Sequence, residues 1–255
     1  MKTAFHLLLA IFFMSVFVQS VSAADTSSEP ERIQALVANI IAAYGGKKVI
    51  EETTSVSAIG DIEALMRQDR GSYELSFKRP RKLRVDIKYQ RSSETRVLDG
   101  NTGYRGVNDV SLSEVNGPSL VAMVYQYKHF DLPYGLLFGT YSIKTAGKKD
   151  LDGKTVEVIH LSDTEGPPMD LYVDAETFHI VRVTGYFAAA DGRTMALSSE
   201  FSNFKKVGDA VFPFKVINYA GGQRIAEIII KSYKINLTIP DHLFAPQASL
   251  QNVPL

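Results

Sequence analysis

The sequence predicts a mainly β, α+β fold: an N-terminal helix followed by a single large antiparallel sheet of about ten strands, interrupted once by a helical segment. Three observations carry this. Apolar residues recur at helical spacing before Gly45, alternate with polar ones over most of the chain after Gly46, and lose that alternation between Pro118 and Tyr141. With 45% hydrophobic and 22% charged residues in 255, the chain lies among ordinary globular sequences rather than disordered ones.

The first 23 residues read as an export leader. Lys2 supplies the positive end, residues 7–18 are nearly all apolar, and Val21-Ser22-Ala23 offers small side chains for cleavage. The apolar run is shorter than the roughly 20 residues a membrane span needs. Residues 1–23 are therefore expected to be a signal peptide, and residues 24–255 a single soluble domain in the periplasm. Lys plus Arg and Asp plus Glu both number 28, and the leader removes only Lys2, so near-neutrality gives no reason to expect nucleic acid as a partner. The absence of cysteine excludes disulfides, thiolate metal sites, a cysteine nucleophile and a lipid-anchored N-terminus.

From residue 29 to 44 the positions Ile33, Leu36, Val37, Ile40, Ile41 and Tyr44 form one apolar stripe. Ser28 caps its start beside Pro30, and Gly45-Gly46 supplies the left-handed stop. The period then changes to two. Tyr73, Leu75 and Phe77 alternate with Glu74, Ser76 and Lys78, and Leu83, Val85, Ile87 and Tyr89 with Arg84, Asp86 and Lys88, the pattern of half-buried antiparallel strands. The same pattern returns at Val156/Val158, Met169/Leu171/Val173, Val181/Val183 and residues 225–235. Asp99-Gly100, Asp152-Gly153, Asp191-Gly192 and Gly221-Gly222 punctuate it as hairpin turns.

In the interruption, Leu120, Met123, Val124 and Tyr127 share a helical face, Ser119 is placed to cap it, and Asp131-Leu132-Pro133 is expected to break it. This segment is either a second core helix or a mobile apolar lid. An area argument bears on the choice: a sheet of about ten strands must twist and curl, and its apolar face exceeds what two short helices cover. Either the sheet closes on a filled core, or it stays half closed around an apolar cavity. In the second case an acyl chain would be favoured by about 0.8 kcal/mol per buried CH₂.

The run Phe77-Lys78-Arg79-Pro80-Arg81-Lys82-Leu83-Arg84, followed by Glu94-Thr95-Arg96-Val97-Leu98-Asp99-Gly100-Asn101-Thr102-Gly103-Tyr104, resembles the central motif of the LolA-like periplasmic lipoprotein carriers. The leader, the helix before the sheet, the helical interruption and the ending Ile239-Pro240-Asp241-His242-Leu243-Phe244 agree with it. The resemblance implies a LolA/LolB-like, half-open, strongly curved antiparallel β-barrel with a helical lid over a cavity for lipoprotein or lipid acyl chains. An inner-membrane exporter and an outer-membrane acceptor are the possible partners, and no enzymatic activity and no cofactor are expected. The cavity is expected to be lined by Tyr73, Leu75, Phe77, Leu83, Val85, Ile87 and Tyr104 from the sheet and by Leu120, Met123, Val124 and Tyr127 from the lid. The arginine of the family's Lys-Arg-Pro motif holds the lid shut and falls here on Arg79; Arg79→Leu is expected to alter cargo release more than folding. Period two independently places Arg79 on the face of Tyr73, Leu75 and Phe77, where a cation needs a partner. The chain is longer than the compact carriers between Gly106 and Gly153, and Gly103-Tyr104-Arg105-Gly106 replaces a more apolar stretch.

Catalytic motifs are absent: no nucleophile elbow, zinc-binding histidine pair, dinucleotide loop or phosphate loop occurs. His129, His160, His179 and His242 are isolated and read as packed or surface residues; Glu51-Glu52 and Asp163 with Glu165 read as solvated carboxylates. The basic cluster Lys78, Arg79, Arg81, Lys82 and Arg84 is either a solvated hairpin end or a docking surface for an acidic partner or headgroup. The rival function is an envelope sensor or assembly module that binds a peptide on the same sheet without transport. A filled barrel with no ligand is the third reading.

Overall fold

Turn chemistry sets how each strand meets the next. The computed structural model describes residues 28–108, 110–188 and 192–246. Within it Asp152-Gly153 and Gly221-Gly222 take left-handed conformations in two-residue hairpin loops, whose twist matches that of the flanking strands. The expected leader at residues 1–23 lies outside the described residues, as does Asp191 of the expected Asp191-Gly192 turn.

Two short helices, α1 (Glu29–Ala43) and α2 (Lys47–Glu52), precede six strands: β1 (Ser55–Ala64), β2 (Asp69–Lys78), β3 (Lys82–Tyr89), β4 (Ser93–Asp99), β5 (Thr102–Val107) and β6 (Ser113–Val115). Helix α3 (Pro118–Leu137) follows. The remaining strands are β7 (Ser142–Leu151), β8 (Lys154–Ser162), β9 (Met169–Asp174), β10 (Ile180–Ala188), β11 (Thr194–Val207), β12 (Ala210–Ala220) and β13 (Gln223–Ile235), before a 3₁₀ turn at Asp241–Phe244. All thirteen strands form one sheet in the order β6-β5-β4-β3-β2-β1-β13-β12-β11-β10-β9-β8-β7. The chain therefore walks outward to one edge, crosses through α3 to the other edge, and walks back to the centre.

The strand count needs correcting: the sheet has thirteen strands among the described residues rather than about ten. It is not closed, because its edge strands β6 and β7 are not paired with each other. The additional strands lack the half-buried alternation that marks the others. β6 has three residues, and β7 is mostly exposed and carries Lys144, Lys148 and Lys149, which discourage edge-to-edge pairing. On β1 the inner positions include Ala58, Gly60 and Ala64, so small residues blur the pattern.

Elsewhere alternation translates directly into packing. Tyr73, Leu75 and Phe77 of β2 stand opposite Ile87, Val85 and Leu83 of β3, all buried on the face the helices cover. α1 begins at Ser28, whose backbone N–H donates to the Glu31 carboxylate at 2.8 Å, and stops at Gly45-Gly46, where the Gly46 N–H reaches back to the Ile41 carbonyl at 2.9 Å. Leu36, Ile40 and Ile41 of its stripe enter a cluster with Leu161, Leu171 and Val183.

A further correction concerns α3. Its flanking residue is Gly117 rather than Ser119, and the helix runs through Pro133 to Leu137 instead of ending there. An interior proline forfeits a backbone hydrogen bond at roughly 3 kcal/mol. Leu132 and Leu136, 1% and 4% exposed, are buried on either side of Pro133 and offset that loss.

The opposite face of the sheet is covered near β3–β5 by the C-terminal segment. Ile239, Leu243 and Phe244 pack on Val97. Beneath them Arg84 and Asp86 form a buried pair at 2.6 Å; Arg84 also donates to the Leu243 carbonyl, and Thr95 to Asp86.

Candidate functional site

The connection between the two sheet edges sets the geometry of the site. With twenty residues α3 is about 30 Å long at 1.5 Å per residue, and it lies across the inner face in contact with both hydrophobic clusters. It is seated on two glycines. A Cβ at Gly103 would stand 2.9 Å from Leu120 and Met123, and one at Gly185 would stand 2.6 Å from the ring of Tyr125. Tyr125 is thus let down onto β10 and β11, where its hydroxyl accepts from the Gly185 N–H at 3.1 Å and donates to the Leu197 carbonyl at 2.9 Å. Gly185→Ala is expected to push this ring off the sheet and destabilise the protein by about 1–3 kcal/mol, read by denaturant unfolding. Wild-type stability would show that Tyr125 does not set the height of the helix.

Two ion pairs fasten α3 near its middle, through Lys128 and Asp131. Arg79, at the end of β2, donates through Nε to Asp131 at 2.7 Å and through Nη1 to the Ile50 and Thr53 carbonyls at the end of α2, while its guanidinium lies 3.9 Å from the Tyr134 ring centre. The partner that its position requires is thus supplied by α3. Burial pushes the Asp131 carboxyl above its ordinary value, and the Arg79 charge only partly counters this. Such a pair gains little net free energy, since desolvation offsets much of the attraction.

On the other side, buried Lys128 pairs with Asp163 in the β8–β9 loop. Burial alone would raise Asp163, but the Lys128 ammonium and the Glu165 and Gly166 N–H groups hold it below its usual value. Arg81 reaches Glu165 at 2.8 Å, joining the β2–β3 turn to the β8–β9 loop, and its N–H donates to the Tyr127 hydroxyl. Asp163 and Glu165, read from the sequence as solvated carboxylates, are structural partners of the helix and of that turn.

Between the middle of α3 and the sheet lies a narrow, partly open cavity with about 100 Å³ of space for the centres of water-sized molecules. Ala58, Tyr73, Phe212, Ile228, Ile230 and Tyr233 are among the sheet residues that line it, and His129, Phe130, Leu132 and Pro133 of α3 face them. Its position follows from β1: small Ala58 and Gly60 sit between larger residues of β2 and β13, so the sheet's side-chain layer is thin there. None of the described residues lining the cavity carries a charged side chain at neutral pH.

Of the residues expected to line a cavity, Tyr73 does so. Leu75, Phe77, Leu83, Val85, Ile87, Met123, Val124 and Tyr127 are brought together, but as one packed seam between α3 and β2–β3, with Leu120 against it. Phe77 stacks on Tyr127 with ring centres 5.1 Å apart. Tyr104 is a correction: Gly103 takes the inner position on β5, and Tyr104 faces the other side with Val97, Ile239 and Phe244. Sequence reasoning missed Ala58, His129, Phe212 and Tyr233; the run of small residues on β1 was the available signal.

The basic cluster dissolves into pairs: Lys78 with Asp241, Arg79 with Asp131, Arg81 with Glu165, Lys82 with Asp99 and Arg84 with Asp86. Three of the histidines are placed as ordinary structural residues. His160 bonds Asp170, His179 stacks on Phe204, and His242 lies in the 3₁₀ turn. His129 differs. It lies edge-on to Tyr125 and Phe201, its Nε2 is sealed from solvent without a partner, and burial lowers its pKa to about 3, so the ring is neutral.

No family model matches the sequence, and no curated protein matches it. Solved structures do. A DUF1329 family protein from Desulfovibrio piger superposes with a TM-score of 0.55 at 11% identity, covering 83% of this chain and 96% of that one. A domain from Vibrio parahaemolyticus ascribed to outer membrane lipoprotein sorting gives 0.56 at 10% identity, covering 84% and 97%. A LolA superfamily protein from Nitrosomonas europaea gives 0.52 at 15% identity, covering 86% and 98%. At the level of fold, then, the chain is similar to LolA-superfamily and lipoprotein-sorting structures, as the resemblance read from the sequence leads one to expect.

Proposed function

We propose that this LolA-like protein is a non-catalytic carrier, exported to the periplasm, that holds acyl chains of a lipoprotein or lipid between α3 and the sheet and moves them toward the outer membrane. The observation that carries this reading is the uncharged, largely apolar cavity beneath a helix fastened by ion pairs. An acyl chain entering it would leave water at about 0.8 kcal/mol per CH₂. Among the described residues no helix is long and apolar enough to cross a membrane, in keeping with a carrier that travels. The likeness to a domain ascribed to lipoprotein sorting supports the same reading.

In this mechanism α3 is the lid and Arg79 its latch. The seam of Phe77, Leu83 and Val85 against Met123 and Tyr127 is the closed state, and lifting α3 joins that apolar surface to the existing cavity. A carrier must release what it binds, so the lid has to open for a few kcal/mol at most. A latch whose Coulomb gain is offset by desolvation suits that requirement. An inner-membrane exporter that loads the protein and an outer-membrane acceptor that unloads it complete the cycle.

Native mass spectrometry of the mature protein from its own periplasm, followed by lipid extraction, tests the reading. A reproducible co-purifying lipid or acylated polypeptide is the expected result. A clean apo mass with no uptake of a fluorescent acyl probe would reject the carrier and leave peptide recognition on the sheet.

A further inference from the structure

The cavity holds two polar groups that the fold leaves without partners. Tyr73 of β2 is 5% exposed, lines the space, and makes no hydrogen bond through its hydroxyl among the described residues. His129 of α3 lines the same space, and its Nε2 is buried without a hydrogen-bond partner. Other polar side chains around the cavity are occupied: the Tyr44 hydroxyl accepts from Ile180, Tyr233 donates to the Pro213 carbonyl, Asn218 accepts from Ser199, and Gln126 accepts from Arg96. Buried polar groups are ordinarily paired, and an unpaired one costs about 1–3 kcal/mol. A phenylalanine in place of His129 would fill similar space without that penalty.

We propose that Tyr73 and His129 receive an uncharged hydrogen-bonding group on the acyl ligand, an ester or amide linkage, so that the cavity selects acylated conjugates over bare hydrocarbon and over ionised fatty acids. The inference rests on the carrier reading and names the ligand chemistry within it. A phenol hydroxyl donates to a carbonyl, and a neutral imidazole offers one donor and one acceptor. The ring stays neutral because burial disfavours its cationic form, so it supplies no positive charge to a carboxylate. A free carboxylate would be stripped of water beside no unpaired cation: no charged described residue lines the cavity, and Arg96, the cation acting on Tyr73 from behind the lining, is already paired with Glu94. Tyr73 stands on the sheet and His129 on the helix, so a group bound by both also ties α3 to the sheet from within.

The test is displacement of a fluorescent acyl probe from the mature protein by methyl laurate, by laurate at pH 8 and by tetradecane. Wild type is expected to bind the ester about tenfold more tightly than the alkane, the worth of one to two hydrogen bonds, with laurate weakest. Tyr73→Phe and His129→Phe are each expected to reduce ester affinity severalfold while leaving alkane affinity within twofold, and thermal unfolding of each variant checks that it is folded. Equal affinity of wild type for ester and alkane, or an ester preference kept in both variants, overturns the assignment while acyl binding itself stands. If no ligand displaces the probe and the probe itself does not bind, the carrier reading falls and the inference with it.

Discussion

Arg79→Leu is expected to destabilise the protein by about 2–4 kcal/mol and to speed release of a bound acyl probe about tenfold. The substitution strands the Asp131 carboxylate, 19% exposed, and leaves the Ile50 and Thr53 carbonyls without their donor. The sequence-based expectation that release changes more than folding leaves out the end of α2, which Arg79 fastens as well as α3. The two effects separate in the double variant Arg79→Leu/Asp131→Leu. It removes the stranded charge and should recover much of the stability, yet it still lacks the latch and should still release quickly. Wild-type release from that double variant would sink the latch role. The single variant also has a pH signature. Burial already raises Asp131, and without Arg79 only the Tyr127 hydroxyl and the Lys128 charge still counter it, so the folded state holds the proton more tightly than the unfolded chain. Stability is then lost as pH rises through the folded-state pKa, and the deficit relative to wild type shrinks as pH falls toward the ordinary carboxylate range.

Arg84→Met should cost more, about 3–5 kcal/mol, with little change in release. Arg84 and Asp86 are 4% and 8% exposed, joined at 2.6 and 3.1 Å, and shut in by the C-terminal turn. Removing the cation alone leaves a carboxylate in a dry site with only the Thr95 hydroxyl as partner. Replacing both, as Arg84→Met/Asp86→Leu, should return most of the loss, since a well-packed apolar pair is often as stable as a buried ion pair. Chemical denaturation of the single and double variants decides the matter. A single variant as stable as wild type would mean that the cation serves a partner outside the chain, as a docking surface would require.

The elements legible in the sequence are those whose physics is local. Alternation over residues 73–89 gave both strands and their buried faces, and Ser28 with Gly45-Gly46 bounded the first helix to within a residue. The end of α3 was not local. Pro133 is a valid stop signal, and Leu132 and Leu136 overrule it only through burial against distant strands. Tyr104 failed for a related reason: alternation separates two faces of a strand but does not say that both are covered, and here the segment after Ile239 covers the second. In the site, the residues of the Lys-Arg-Pro motif were found along with the helix they contact, whereas the cavity was displaced toward β1 and β13. Its position depends on small side chains, which leave a weak mark in a hydrophobic pattern. His129 looked like any isolated histidine because its distinction lies in what it lacks, a hydrogen-bond partner.

The strand order also decides when the protein can come into being. β1 and β13 stand side by side at the centre of the sheet, although one opens the strand series and the other closes it. Each meander of hairpins can assemble from neighbouring sequence, but the two halves join only when the last strand arrives. Until then β1 is an open edge, as is β12 on the other side. Contacts of such long sequence separation come late and slowly, because the loop entropy must be lost before pairing repays it. A chain crossing a membrane from its N-terminus would therefore keep its first half waiting for the C-terminal strand. Those open edges are where a half-made sheet is exposed to pairing with other chains, so the order of synthesis is part of how this fold avoids aggregation.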